Sequence, residues 1–252
     1  MRGQRTPRAA LGQIGCPDPP PRPGWTYGFA ELARGQRELI RSSRRISNPG
    51  CYPTGFLALT RPLVDAGLLP ADAALSVHAV SGYSGGGKAL IKVFEEGAHE
   101  PWGAYGFNMR HKHLKEMSRW SGLARPPVFS PSVGDFAQGM VVTIPLHLSQ
   151  LRLGGKPATE ALAGALRAHY AGEPGVRVFS GEAAEAKLER GTFLRPDALN
   201  GTNALELFVF ADDASGTAML LARLDNLGKG ASGAAVQNMN LVLGLPELAG
   251  LK

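Results

Sequence analysis

The sequence predicts an α/β protein in which helices cover a mixed β-sheet. Strand-like and helix-like stretches follow one another irregularly, which favours a mixed sheet over a purely parallel one. Residues 75–80 alternate as in a half-buried strand, whereas residues 157–171 have helical spacing. A chain of 252 residues with 44% hydrophobic residues can form one or two domains with a packed core.

The same patterns place the individual elements in order along the chain. Helices are expected at residues 31–45, from Cys51 to about Leu69, at 157–171 and at 230–243. Two more are expected, one from the glycine-rich stretch at 81–88 through Phe94 and a short one that begins within residues 108–117. Strands are expected at 75–80, 128–130, 140–148, 204–211 and 218–224, the last two as a hairpin. Pro145 should move the 140–148 strand to an edge or a bulge, because proline cannot donate to a ladder.

Composition limits the classes of partner. Residues 1–24 are rich in Arg, Pro and Gly and are expected to form a disordered leader. Residues 1–45 carry nine arginines against three acidic residues, which accounts for the whole net charge of +6. The rest of the chain is neutral and has no basic, aromatic stripe, so nucleic-acid binding is not expected. No apolar run approaches the ~20 residues that span a bilayer, so no membrane partner is expected.

The cysteine count indicates the compartment. Cys16 and Cys51 are too few for a disulfide framework or a four-thiolate zinc site. A reducing cytoplasm is therefore the expected setting, and no metal site is expected.

The stretch NPGCYPT at residues 48–54 is the strongest candidate for chemistry. Pro49 and Gly50 indicate a turn, and Pro53 suits the first turn of a helix. Cys51 would then face the free N–H groups and the positive end of the helix dipole, which should lower its thiol pKa and favour nucleophilic attack. The alternative is a small buried hydrophobic residue beside a tight turn.

The glycine-rich stretch at 82–86 also fits the G-x-S-x-G pattern of serine hydrolases, between a strand and a helix. Ser84 would be the nucleophile, and Asp135 with His147 or His169 would complete a triad. Nothing else about these residues indicates a hydrolase site.

Two nucleotide-binding patterns are incomplete. Residues 82–88 fit G-x-x-x-x-G-K, but Ala89 stands where a P-loop needs Ser or Thr for magnesium. Residues 228–233 fit G-x-G-x-x-G, yet the chain stops at Lys252 before a second strand could complete a dinucleotide fold. What remains is a set of backbone N–H groups and Lys88, which could receive a phosphate or another anion.

Four blocks together resemble the shorter type of the N-acetyl-gamma-glutamyl-phosphate reductase family, from about Trp25 to the end of the chain. They are NPGCYPT at 48–54, VSGYSGGGK at 80–88, HKH at 111–113 with Glu116, and DNLGKGASG at 225–233. The resemblance implies a catalytic domain like that of glyceraldehyde-3-phosphate dehydrogenase and the reduction of an acyl phosphate to an aldehyde in arginine biosynthesis.

The resemblance also assigns roles to single residues. Cys51 would form a thioester and expel phosphate, and His113, the second histidine of the motif, would be the general acid and base. Glu116 would orient that imidazole. His111 and Lys88 would bind the substrate, a small acyl phosphate.

NADPH is the cofactor that the family implies, with Ser81, Gly82 and Asn226 beside it. The implied domains are a remnant of the coenzyme domain at 25–50, a catalytic and dimerisation domain at 51–224, and a returning segment at 225–252. A homo-oligomer is expected.

The chain also departs from the family. The Rossmann half with its glycine-rich phosphate loop is missing, and Lys115 stands where the family usually has proline. We therefore expect this chain alone to be a weak or inactive reductase, or its start codon or reading frame to be misassigned. The alternatives are a sister reductase of aminoadipyl or aspartyl phosphate and a non-catalytic remnant.

Overall fold

A computed structural model of the protein describes residues 24–97 and 99–252. The expected leader lies outside these residues except for Gly24. The helices are α1 (Gln36–Arg41), α2 (Cys51–Asp65), α3 (Gly87–Glu95), α4 (His113–Ser121), α5 (Ala158–His169), α6 (Glu182–Glu185) and α7 (Gly233–Leu243). The strands are β1 (Thr26–Tyr27), β2 (Ile46–Ser47), β3 (Ser76–Gly82), β4 (Trp102–Ala104), β5 (Val128–Gly134), β6 (Met140–His147), β7 (Val176–Ser180), β8 (Leu205–Asp212) and β9 (Thr217–Leu224).

Most strands join one mixed sheet with the order β4-β5-β3-β6-β9-β8-β7. The β3–β5 and β7–β8 pairs are parallel and the other pairs are antiparallel. Strands β1 and β2 form a separate parallel pair. The mixed sheet and the β8–β9 hairpin are confirmed.

One face of the sheet carries the core. Helix α2 packs on β6, β8 and β9, and α5 packs beside it on β7 and β8. Burial of α2 is nearly complete because apolar side chains recur along it, including Phe56, Leu59 and Leu63. Facing them are Val142 and Leu220 of the central strands, so the helix that begins at Cys51 is anchored in the middle of the protein.

The opposite face is largely open at one end of the sheet. His78, Thr143 and Leu221 pair in one row across β3, β6 and β9. None of the three is buried, and Val128 and Met219 are exposed. An apolar surface of this kind is typical of a contact with another molecule.

Two predicted elements differ from the structure. The helix expected at 31–45 is only α1, because Gly35 has a φ of 82°, which ends any right-handed helix on its N-terminal side. Strand β6 is central rather than at an edge, and the expectation for Pro145 is wrong. Proline is tolerated because β3 pairs only with residues 140–143, so Pro145 has a ladder partner on one side alone, Met219.

Within residues 24–97 and 99–252, every helix falls short of the length and apolar character that crossing a bilayer requires.

Candidate active site

Cys51 is the first residue of α2 and carries a free, half-buried thiol. Gly50 precedes it in an extended conformation, and the Gly50 carbonyl accepts hydrogen bonds from the Thr54 N–H and hydroxyl, both at 2.9 Å. Pro53 lies in the first turn, where a missing N–H costs nothing. The predicted placement of Cys51 at the start of an apolar helix is therefore confirmed.

The electrostatic expectation for this thiol is wrong. Burial raises the pKa of Cys51 to about 11, and the backbone N–H of Tyr52 and the charge of Lys112 lower it only in part. The loss of solvation outweighs the helix N-terminus. A thiolate removed from water loses more hydration free energy than hydrogen bonds from two backbone N–H groups supply. The thiol is thus protonated at neutral pH until another group takes its proton.

His113, the first residue of α4, is brought to the cysteine turn as expected. Its Nε2 lies against Gly50, where an added Cβ would be only 2.5 Å away. The side chain is buried, and among the described residues its Nδ1 has no hydrogen-bond partner. The His113 backbone N–H donates to Nδ1 of His111 at 3.2 Å, and the two rings lie 4.9 Å apart.

Both imidazoles are uncharged at neutral pH. Burial lowers the pKa of His113 well below its ordinary value, and repulsion by Lys112 and by His111 when that ring is protonated lowers it further. Burial also lowers the pKa of His111 to about 4. An imidazole with its ordinary pKa of about 6.5 is therefore not what this environment provides. A neutral His113 is ready to accept a proton.

Glu116 ties α4 to the turn before the cysteine. Its Oε1 accepts hydrogen bonds from the backbone N–H of Gly50 at 2.9 Å and from the hydroxyl of Tyr27 at 2.5 Å. Tyr27 in turn stacks on Trp120 at a centroid distance of 4.6 Å. Sequence reasoning did not assign Tyr27 to the site, although its segment belongs to the resemblance described above.

The C-terminal turn returns to the same place. Residues Gly228–Ser232 form a π-turn, and a Cβ on Gly230 would lie 2.8 Å from the Cβ of Cys51. Asp225 shapes this turn, because its carboxylate accepts hydrogen bonds from Gln138 and from the N–H groups of Gly201 and Leu227. The block at 225–233 thus contacts Cys51.

Two of the residues expected near the cofactor, Ser81 and Asn226, lie together beside Gly85. Asn226 is buried, accepts from the Gly139 N–H at 2.7 Å and donates to the Ser84 hydroxyl at 3.0 Å. A Cβ on Gly85 would lie 2.8 Å from the Ser81 hydroxyl and 3.4 Å from the Asn226 amide nitrogen. Glycine at position 85 therefore keeps a gap over these two polar groups.

Gly82 has no room for a side chain, since an added Cβ would lie 2.6 Å from the Gln138 backbone nitrogen. Lys88 is exposed on α3.

Aromatic rings surround His111. The rings of Tyr52, Tyr105 and Phe129 lie 6.0, 5.8 and 5.1 Å from it. The Tyr105 hydroxyl donates to that of Tyr52, which donates to a backbone carbonyl. This wall lies directly beside the cysteine, because Tyr52 follows Cys51 in the chain.

The serine-hydrolase triad is not formed. Asp135 contacts His99 at 3.1 Å, and His169 Nε2 contacts the carbonyl oxygen of Glu31 at 3.1 Å. His147 is exposed at the end of β6 remote from the loop that binds Ser84. The Ser84 hydroxyl accepts from an amide instead of an imidazole.

A cysteine at a helix start, flanked by a histidine and a glycine turn on a mixed sheet, indicates the semialdehyde dehydrogenase class. Residues 51–226 match the family model described as "Semialdehyde dehydrogenase, dimerisation domain". The fold is similar to aspartate semialdehyde dehydrogenase II from Vibrio cholerae, with a TM-score of 0.60 at 17% identity over 88% of this chain and 68% of that one.

Curated relatives narrow the class further. The chain is 53% identical over 237 residues to N-acetyl-gamma-glutamyl-phosphate reductase of Trichormus variabilis, covering 90% of this chain and 72% of the relative. It is 52% identical, with the same coverage, to N-acetyl-gamma-glutamyl-phosphate reductase 2 of a Nostoc species. The chain therefore belongs to the N-acetyl-gamma-glutamyl-phosphate reductase family, a family of oxidoreductases.

Proposed function

We propose that this protein reduces N-acetyl-glutamyl phosphate to the semialdehyde through an acyl group carried on Cys51, with NADPH as reductant. The observation that supports this most is the convergence of three chain segments at Gly50 and Cys51. Gly50 brings His113 to one side of Cys51, and Gly230 lies directly against its Cβ. Such an arrangement provides a nucleophile, a base and a closed wall at one point.

The first step transfers a proton within the protein. Cys51 is protonated at neutral pH and His113 is not, so the imidazole is the acceptor for the thiol proton. Because the thiol pKa lies above that of His113, this transfer is uphill, and only the small population with the proton on His113 reacts. The sulfur then bonds to the acyl carbon, the bond from that carbon to the phosphate oxygen breaks, and phosphate leaves. The backbone N–H groups at the start of α2 stabilise negative charge at this point, as the hydrogen bond from Tyr52 to the sulfur indicates.

The residues present fit the nicotinamide end of NADPH. Ser81, Gly82 and Asn226 would hold it, because Ser81 and Asn226 both lie beside Gly85, and Asn226 directly follows Asp225, which shapes the turn against Cys51. When bound, NADPH supplies a hydride. Asn226 joins Gly139 to Ser84 through its amide, so it orders the wall on which the cofactor would rest.

His111 and Lys88 are proposed to bind the substrate. His111 is uncharged, so it would contact the phosphate or acyl oxygens as a hydrogen-bond partner rather than as a cation. Lys88 supplies a positive charge on α3. His113 completes the cycle by returning its proton to the Cys51 sulfur as the aldehyde leaves.

The assembly and setting follow from other observations. The open sheet face with Val128, Met219 and Leu221 is apolar and lies in the segment that matches a dimerisation domain, so we propose a homo-oligomer that covers it. A free thiol at Cys51 requires a reducing compartment, which favours the cytoplasm. The division at residues 25–50, 51–224 and 225–252 remains our proposal for the domains.

Mass spectrometry of the Cys51 peptide tests the proposal without cofactor. The protein is mixed with N-acetyl-glutamyl phosphate, and we expect phosphate release and an acyl adduct on Cys51 that Cys51→Ser lacks. Aspartyl phosphate and N-acetyl-aminoadipyl phosphate are tested in parallel, and each should form far less acyl adduct on Cys51. Labelling by those compounds instead would indicate a sister reductase, and the absence of any Cys51 adduct would contradict the mechanism.

A further inference from the structure

Two buried charges lie next to the C-terminal turn and far from each other in sequence. We infer that Lys229 and Glu31 are positioning residues, whose ion pair holds Gly230 against Cys51. The inference rests on the proposed role of Cys51 as the nucleophile. It assigns to this ion pair a role in the geometry of the site.

The pair is closed to solvent, and its contacts go to one oxygen of Glu31, because Oε2 has no hydrogen-bond partner among the described residues. Lys229 Nζ lies 2.7 Å from Glu31 Oε1 and 2.8 Å from Gln237 Oε1, and Gln237 Nε2 donates to the same carboxylate oxygen at 2.8 Å. Lys229 is 1% exposed and Glu31 is 4% exposed. Burial alone would raise the pKa of Glu31, but the charge and hydrogen bond of Lys229 hold it below its ordinary value. The Glu31 carboxylate is therefore ionised beside Lys229 in the folded protein.

The backbone carries the effect of this pair to the nucleophile. Lys229 is inside the π-turn, and the next residue, Gly230, touches Cys51. Consecutive Cα atoms are about 3.8 Å apart, so Gly230 cannot move without its neighbour. The backbone of the turn is closely packed at both ends. A side chain at Gly228 would collide with the Thr202 carbonyl, and one at Gly233 would collide with Asn203. π-turns of this kind are frequent at functional sites.

Stability alone explains the pair poorly. A buried ion pair contributes little net stability compared with apolar residues of the same volume, because both charges lose their hydration. What it does provide is a definite partner, since either charge alone in this interior would be costly. Here it joins residues 198 positions apart. The pair therefore fixes how the N-terminal segment and the C-terminal turn sit relative to each other beside Cys51.

A second buried ion pair in the same protein serves as the matched control. Arg223 and Glu206 are 4% and 2% exposed and form two hydrogen bonds between their side chains. They lie on β9 and β8, and alternation along β9 places Arg223 on the opposite side of the sheet from Ala222, which lies near Gly55 of α2. Substituting this pair removes two buried charges on the other side of the sheet from α2, where neither residue contacts Gly230.

The experiment measures the reactivity of Cys51 directly. The double variants Glu31→Gln/Lys229→Met and Glu206→Gln/Arg223→Met each remove a buried pair and leave no lone charge. Iodoacetamide labelling at Cys51 is followed by peptide mass spectrometry, and urea unfolding is recorded for both. Loss of the first pair should free the turn, hydrate the thiol and raise the labelling rate about tenfold, the effect of one pKa unit. The control variant should change it less than about twofold, which is under a third of a pKa unit.

Equal rates for the two double variants, or an unchanged rate for the first, would overturn the inference. If Glu31→Gln/Lys229→Met does not fold, Gln237→Leu provides the same comparison, because it removes one hydrogen bond from each charge and keeps the pair. It should raise the Cys51 rate in the same direction by a smaller factor, and an unchanged rate would refute the inference.

Labelling needs no substrate, so this result is independent of the reductase proposal. A wild-type protein that labels at Cys51 but forms no acyl adduct would contradict the proposed function. The dependence of Cys51 on Lys229 and Glu31 would still stand or fall on the labelling rates.

Discussion

Gly230 lies so close to Cys51 that no side chain fits between them, since a Cβ at residue 230 would be 2.8 Å from the Cβ of Cys51 and 3.2 Å from its Cα. Gly230→Ala must therefore displace either the turn or the start of α2. We expect turnover of N-acetyl-glutamyl phosphate to fall about 100-fold, the effect of a misplacement near 1 Å. Overpacking should also lower the free energy of unfolding by about 1–3 kcal/mol. Steady-state kinetics and urea unfolding measure the two effects.

Gly164→Ala is the control for this substitution. Gly164 lies inside α5, and an added Cβ there would meet nothing within 4 Å. It should leave turnover unchanged and increase the free energy of unfolding by about 0.5–1 kcal/mol, because alanine favours the helix. A Gly230→Ala protein with the turnover of Gly164→Ala would show that the close contact has no role in catalysis.

Gly50→Ala tests the histidine independently of the cysteine. The φ of Gly50 is −73°, so alanine causes no backbone strain, but its Cβ would lie 2.5 Å from His113 Nε2. The imidazole must move, and we expect turnover to fall by about 10²–10⁴, the contribution of a general acid and base.

Kinetics of the combined variant provide the check. Because Gly50→Ala and His113→Gln disturb the same group, Gly50→Ala/His113→Gln should be no slower than His113→Gln alone. Losses that multiply would mean that Gly50 acts on something other than His113.

The pH dependence of alkylation follows from the state of the thiol. The pKa of Cys51 is about 11, so only a small fraction is thiolate at pH 7. Labelling of the free protein by iodoacetamide should be slow there and should rise about tenfold per pH unit up to about pH 10. Peptide mass spectrometry separates Cys51 from Cys16, which serves as the internal comparison. Fast labelling that levels off near pH 7 would contradict this pKa.

The local features of the site could be predicted from the sequence, because each depends on neighbours in the chain. Pro49, Gly50 and Pro53 define the turn and helix start around Cys51 without reference to the rest of the fold. The β8–β9 hairpin follows from two alternating runs with a short connection, and the structure confirms it.

Properties that depend on distant residues were not predictable. The thiol pKa rises because the fold removes water from Cys51, and no local pattern reports the loss of solvation. The hydrogen bond from Tyr27 to Glu116 spans 89 positions, and the Glu31–Lys229 pair spans 198. The glycine at position 230 is the one local indication of the contact with Cys51, since a glycine within a functional block often marks a close approach of the backbone.

Acid should destabilise the protein through its two buried imidazoles. The pKa of His111 is lowered to about 4 and that of His113 lies well below its ordinary value, so both stay neutral in the folded state. In the unfolded chain both imidazoles take up a proton below about pH 6.5. Their contribution to the free energy of unfolding is therefore fully present above that pH and is lost as the pH falls toward their folded-state pKa values. Each histidine should contribute a slope of at most about 1.4 kcal/mol per pH unit between about pH 6 and pH 5, where carboxylates remain ionised.

Urea unfolding at pH 7.5, 6 and 5 (all about room temperature) measures this slope, and His113→Phe should reduce it by about one proton. Gly164→Ala is the control, because it alters no titratable group and should leave the slope unchanged. A free energy of unfolding that stays constant from neutral pH down to pH 5 would mean that these imidazoles are protonated in the folded protein. In that case the folded pKa values of His111 and His113 would lie near the ordinary value of about 6.5, and burial would not set the charge of the imidazole next to Cys51.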